Sequence, residues 1–285
     1  MSDPAPDSRR LRATVEYDGT AFHGSQLQPE VRTVQGELER ALSTLFDRPV
    51  RIDLAGRTDT GVHALAQEIA FAAPPDRDAA DVARGLAALT AADLAVVAVR
   101  EAAPEFHPRF DARLRRYEYL VATGELSGSP FLRDRAWGLR DDPARETLDR
   151  LAQALIGERS FGGFARSGQP ERGTRCRVEE AFWRAAADGL LAFEITADRF
   201  LHHMVRYLVG TMVEIATDRR PGSDLARSLA EEEPSRSVYP APPGGLYLTG
   251  VAYADGWNRT GGLPWLGGSG TALRHGSPRP GPARP

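Results

Sequence analysis

A chain of 285 residues, 41% hydrophobic and 26% charged, has the composition of a soluble globular protein and length for one large domain or two ordinary ones. Its single cysteine, Cys176, excludes an internal disulfide and a multi-cysteine zinc site, and the absence of lysine excludes Schiff-base chemistry and a phosphate-loop lysine. A formal net charge of −3 argues against indiscriminate nucleic-acid binding; with no apolar run of membrane-spanning length and a polar Met1–Arg10, a cytoplasmic protein is expected.

Leu11 to Tyr17 reads as a strand that ends at the turn signal Asp18-Gly19. Thr33 is placed to cap a helix from Val34 to Phe46, whose apolar stripe is Val34, Leu38, Leu42 and Leu45. Val50 to Leu54 alternates apolar and polar residues, and Gln67 to Phe71 resumes extended character, so two strands flank the loop between them. Asp78 then caps a helix carrying Val82, Leu86 and Leu89, and Leu94 to Val99 closes the unit as a strand.

A second set of elements follows in the same order. Tyr117 to Val121 is a strand, and Asp142-Pro143 opens a helix that buries Leu148, Leu151 and Leu155. Strands at Arg177–Ala186 and Leu190–Thr196 flank the hairpin signal Asp188-Gly189. A helix from Leu201 to Thr217 follows, with Leu201, Val205, Leu208, Met212 and Ile215 at helical spacing. A shorter helix at Asp224–Glu231 precedes a last strand at Leu246–Tyr253. The expected fold class is α+β: two ferredoxin-like β-α-β-β-α-β halves in pseudo-repeat, with antiparallel sheets, helices on one face and an active-site cleft between the halves. Residues 11–110 form the first half and 111–257 the second. Residues 1–10 and the Gly-, Pro- and Arg-rich 258–285 are expected to be disordered.

The stretch Ala55-Gly-Arg-Thr-Asp-Thr-Gly-Val-His-Ala64 separates the two inner strands of the first half. Glycines at 56 and 61 let such a loop press against a ligand, and Arg57, Asp59 and His63 project from it. Two readings stand side by side on spacing alone. Asp59 is either a catalytic carboxylate among cations or a turn residue that organises backbone N–H groups. Arginines concentrate at Arg109, Arg113, Arg115 and Arg116, and again at Arg159, Arg166, Arg172, Arg175 and Arg177. On a cleft wall they would follow a phosphate backbone; otherwise they are solvated faces.

The Ala55–Ala64 loop resembles the active-site loop of the tRNA pseudouridine synthases that act on the anticodon stem-loop. Four further stretches resemble the same family. They are Tyr17-Asp-Gly-Thr20 with Phe22-His-Gly-Ser-Gln26, Phe106–Ala112 running into Arg116-Tyr-Glu-Tyr119, Phe200-Leu-His-His-Met-Val-Arg206, and Gly244-Gly-Leu-Tyr-Leu248. Two departures stand out: Thr60 where the family has Ala, and Ser25 where it usually has Trp.

The resemblance implies Asp59 as the essential catalytic residue, Arg206 as its ion-pair partner and Tyr117 as the ring that stacks on the target uracil, with its hydroxyl available for proton removal. It also implies Leu246 as the apolar floor under the base. Arg57 would hold phosphate or the flipped nucleotide, with an ion pair to Asp53 or Glu68 as the competing explanation. His63, His202 and Arg116 join the substrate-binding candidates. On one helix His202 and Arg206 would share a face; the plainer reading has His202 and His203 closing hydrogen bonds between the halves. The implied activity is conversion of uridine to pseudouridine at positions 38 to 40 of tRNA, by a homodimer, with no cofactor, metal or membrane. Two other readings are a specialised relative that supplies pseudouridine for a C-nucleoside product, and a catalytically silent RNA-binding protein.

Overall fold

In the computed structural model the described residues are 9–166, 173–231, 239–259 and 263. The expected disorder of residues 1–8, Arg172, and the tail beyond 259 apart from Leu263 lie outside them. The first half runs β1 (Arg9–Tyr17), α1 (Val34–Phe46), β2 (Ile52–Leu54), β3 (His63–Ala73), α2 (Ala79–Leu89) and β4 (Leu94–Glu101). The second half runs β5 (Leu114–Ala122), β6 (Trp137–Gly138), α3 (Arg145–Gln153), β7 (Gly157–Ser160), β8 (Arg175–Ala187), β9 (Leu190–Ala197), α4 (Met204–Ala216), α5 (Asp224–Ala230), β10 (Leu246–Tyr253) and β11 (Gly256–Trp257).

The local signals explain most of these bounds. Thr33 accepts from the Gly36 N–H at the start of α1, and Asp78 accepts from Asp81 at the start of α2, each relieving an otherwise unpaired helix donor. Gly189, at φ +68°, makes the turn between β8 and β9. Two helices start later than their periodicity suggests. α3 begins at Arg145, beyond the Asp142-Pro143 signal, with Ala144 donating its N–H to Ala216 instead. α4 begins at Met204 because His203 sits in the left-handed region, at φ 64°, which no right-handed helix can pass through.

The eleven strands of the described residues belong to one sheet, ordered β4-β1-β3-β10-β5-β9-β8-β7, with β2 beside β3, β6 beside β5 and β11 beside β10. The halves therefore do not form two separate antiparallel sheets. They are joined by a short parallel pairing of β3 with β10, His63 opposite Tyr247 and Ala64 opposite Leu248. Within the first half the order is β4-β1-β3-β2; within the second, the corresponding elements run β10-β5-β9-β8.

One face of the sheet carries the main core, in which Leu38 and Leu42 of α1, Val82 and Leu86 of α2, Leu148 of α3 and Leu208 and Met212 of α4 meet the strands. The reverse face carries a smaller cluster of Leu65, Leu120, Leu190, Ala192, Tyr247 and Leu263. Tyr117 and Tyr119 belong to the helix-side core, and Leu120 to the reverse, as strand alternation requires. Arg9 and Arg10 are part of β1, and Asn258 donates to Ala66 O and to Glu68, so order extends past the sequence-based limits at both ends.

Candidate active site

The loop from Ala55 to Val62 is held from several sides. Ala55 donates its N–H to Glu68 O and accepts from Arg115, whose guanidinium also reaches Asp198 O and Arg109 O. The Gln67 amide brackets Gly56, donating to its carbonyl and accepting from its N–H. Thr58 is the most constrained member: its N–H donates to Ser25 Oγ at 2.8 Å, its carbonyl accepts from Ser25 N–H at 3.0 Å, and its hydroxyl meets Tyr17 Oη at 2.7 Å. Ser25 is fully buried, so the position where the family usually has Trp is here a polar fastener under the loop.

Gly61 turns the chain back at φ +78°, and a Cβ there would stand 3.0 Å from Pro243 Cγ. The loop of the first half thus lies directly against the 243–245 turn that leads into β10.

Asp59 projects from this clamped loop with its carboxylate 20% exposed. Arg206 Nη1 donates to its Oδ2 at 3.2 Å, while Arg206 Nε is anchored on Ala241 O at 2.8 Å. His203 Nε2 stands 3.2 Å from Oδ2, and His202 Nε2 stands 3.4 Å from Oδ1. Burial pushes the His203 pKa down to about 4, with Arg206, His202 and Arg166 reinforcing the effect and Asp59 opposing it, so the ring is neutral at neutral pH. Among the described residues no backbone N–H of the loop donates to the Asp59 carboxylate, contrary to the turn-organising reading. The three ligand-type atoms of Asp59, His202 and His203 lie within 4.8 Å of one another. The Arg206 guanidinium already places a fixed positive charge against Oδ2, so the group is a carboxylate with its donors and not a ligand set.

Tyr117 lies under the loop. A Cβ built at Gly56 would be 4.0 Å from its hydroxyl, and its ring meets Phe200 edge-on at 5.0 Å. Burial raises the hydroxyl pKa well above its ordinary range, so the phenol is the resting form. Leu246 opens β10 on the same sheet face, buried opposite Tyr119.

Arg57 is exposed and makes no ion pair with any described residue. Its expected competitors are occupied: Asp53 by Arg10 at 2.6 Å, and Glu68 by Thr14 at 2.7 Å with Arg12 at 3.8 Å.

Two candidates are not brought to this cluster. Arg116 points to the reverse face, where its guanidinium lies 4.9 Å from the Trp257 ring and donates to Thr249. Strand alternation places Arg115, two residues before Tyr117, on the loop side instead. His63 is buried on the reverse side as a fastener. Its Nδ1 accepts from Gly19 N–H, its Nε2 contacts Asp134 O and Gly244 O, and its ring stacks on Tyr247. Nor do His202 and Arg206 share a helix face, because α4 starts after His203; His202 reaches Asp59 from the preceding turn. In the second arginine concentration, Arg175 pairs with Glu158 and Arg177 with Glu179, which blunts its attraction for phosphate.

A family model described as tRNA pseudouridine synthase matches residues 13–111 and 151–254, more than half of the chain. The chain belongs to the tRNA pseudouridine synthase family. Curated relatives named tRNA pseudouridine synthase A are similar over nearly their whole length. The Dictyoglomus turgidum protein is 39% identical over 84% of this chain and 97% of its own. That of Chlorobaculum tepidum is 36% identical over 87% of this chain and 100% of its own, and that of Idiomarina loihiensis 35% identical over 87% and 95%. The matched pseudouridine synthase segments contain Asp59 on one side and Arg206 and Leu246 on the other, while Tyr117 falls in the stretch between them. Sequence reading passed over Ser25 as a loop fastener, Arg115 as a loop clamp and His203 as the nearer histidine. Of these, only Arg115 was accessible, through the period-two pattern of its strand.

Proposed function

We propose that this chain isomerises uridine to pseudouridine in tRNA, with Asp59 as the catalytic carboxylate, Arg206 as its charge partner and Tyr117 as the ring that receives the base. The observation that carries the reading is the meeting of Asp59 and Arg206, one from each half, beside Tyr117. The reaction breaks the bond from N1 of uracil to the sugar, turns the base and rejoins it through C5. Asp59 starts it either by adding to C1′ or by removing a sugar proton. The Arg206 guanidinium compensates the carboxylate charge in a site largely shielded from water.

The target nucleotide has to leave its stack, which costs a few kcal/mol. Stacking on Tyr117, the apolar Leu246 floor and phosphate contact by Arg57 offset that cost in this proposal. His202, on the open side of Asp59, completes the rim; Arg116 and His63 have no part in it. By the family resemblance, the substrate is the anticodon stem-loop at positions 38 to 40, and a homodimer acting in the cytoplasm holds the tRNA across both subunits. Among the described residues no helix is long and apolar enough to cross a membrane. The matching strand orders of the two halves support reading them as ferredoxin-like units in pseudo-repeat.

Tritium release from C5-labelled tRNA tests the proposal. The parent protein releases tritium, and Asp59→Asn binds the same tRNA with no release. Turnover by Asp59→Asn refutes the assignment, and tRNA binding by the parent without release supports a silent binder instead.

A further inference from the structure

The two oxygens of Asp59 have different surroundings. Oδ2 faces Arg206 Nη1 and His203 Nε2, both at 3.2 Å, from side chains only 11% and 10% exposed. At Oδ1 stands His202, at 3.4 Å and 43% exposed, so Oδ1 is the oxygen on the open side of the cluster.

His203 occupies an unusual backbone position. Its backbone is left-handed at φ 64°, a region that residues other than glycine seldom enter, although Asn, Asp and His do so more readily than most. It precedes the first residue of α4 yet makes no side-chain cap bond, the usual benefit of that position. What the residue does accomplish is to bring one ring nitrogen to Asp59. Neutral imidazole carries a single N–H. Nδ1 is buried with no hydrogen-bond partner among the described residues, so a proton there would be stranded while the Nε2 lone pair faced an anionic oxygen. The proton therefore resides on Nε2.

We propose that His203 is a positioning residue: its Nε2–H joins Arg206 in holding Oδ2, which leaves Oδ1 as the oxygen presented to the sugar. Two donors on one oxygen fix the carboxylate plane as well as its place, and the second donor brings no second charge. Such contacts tighten when substrate fills the site. The inference rests on the reading of Asp59 as the catalyst.

The test uses His203→Leu, His203→Gln and His203→Asn in the full chain, with kcat and KM on C5-labelled tRNA and thermal melting for each. The amide nitrogen of Gln reaches the place of Nε2; that of Asn reaches only the place of Nδ1, although Asn suits the left-handed backbone better. The expected result is a loss of about 10–100-fold in kcat for Leu, the worth of one hydrogen bond to a charged group, with KM near the parent value. Gln recovers most of that loss and Asn does not. If Asn matches the parent, or Gln is no better than Asn, His203 serves only the backbone turn and the proposal falls; this comparison holds even if the Leu variant does not fold. Asp59→Asn assayed alongside separates the two ideas. Turnover there overturns the catalytic reading itself, whereas its inactivity together with a fully active His203→Asn overturns only the positioning role.

Discussion

Arg206 Nη1 lies 3.2 Å from Asp59 Oδ2 across 147 residues of chain, while its Nε is tied to Ala241 O. The guanidinium is thus held by two elements and aimed at a third. Arg206→Ala removes both bonds and leaves the carboxylate without its charge partner. Isomerisation should be lost and stability should fall by about 1.5–3 kcal/mol, the usual worth of a hydrogen bond to a charged group. Arg206→Lys keeps the charge without the fork and should retain a small fraction of activity. Denaturant unfolding and tritium release measure the two effects; parent kcat in Arg206→Ala would contradict the pairing.

Tyr117 contributes a ring and a hydroxyl that are separable. The hydroxyl makes no hydrogen bond with any described residue, whereas the ring packs on Phe200. Tyr117→Phe should therefore melt close to the parent and bind tRNA equally well, while kcat falls if the phenol moves a proton. Tyr117→Ala should lose binding as well. Filter binding and single-turnover kinetics on the two variants distinguish these contributions.

Ser25 supplies an acceptor for Thr58 N–H inside a fully buried site. Ser25→Ala strands that donor, at a cost of about 1–3 kcal/mol, and releases the loop one residue before Asp59. Stability and kcat should fall together. Unchanged values of both in unfolding and turnover assays would mean that Tyr17 and Gln67 hold the loop unaided.

Glu118 gives the protein a pH dependence of its own. Its carboxyl is buried on the reverse face, where burial first and Glu194 second raise its pKa to about 7 from an ordinary 4.5, against the pull of Arg184 and Arg116. Between those values the folded chain keeps a proton that the unfolded chain has lost. The stabilisation is complete below the lower value and disappears as pH rises through the upper one, on the order of 3 kcal/mol in all. Glu118→Gln has no such proton, so its melting temperature should fall less between pH 4.5 and 8. Parallel curves for the two proteins would exclude Glu118 as the source.

Much of the frame was legible because its signals are local. The stripe and cap of α1 fix Val34–Phe46, and two apolar runs, Leu246–Leu248 and Val251–Tyr253, mark β10. Leu201 extends the periodicity of α4 beyond its true start, and nothing in the sequence announces that His203 turns left-handed. β6, β7 and β11 are two to four residues long and exist through pairing with neighbours, which leaves no periodicity to read. At the site, spacing left Asp59 undecided between catalyst and turn residue; its link to Arg206 followed from resemblance, since no local rule connects residues in different halves. Arg116 is a candidate through the stretch that resembles the family, yet alternation along the strand assigns it and Tyr117 to opposite faces.

The two-residue parallel seam between β3 and β10 has a consequence for synthesis. Asp59, Tyr117 and Arg206 all leave the ribosome before the strand that closes the gap between the halves. Until then the halves have side-chain links such as Arg115 to Ala55 O and Arg206 to Asp59, without the backbone pairing of the seam. A chain cut short before Leu246 would carry the site's other groups without the strand that joins the two halves of the sheet.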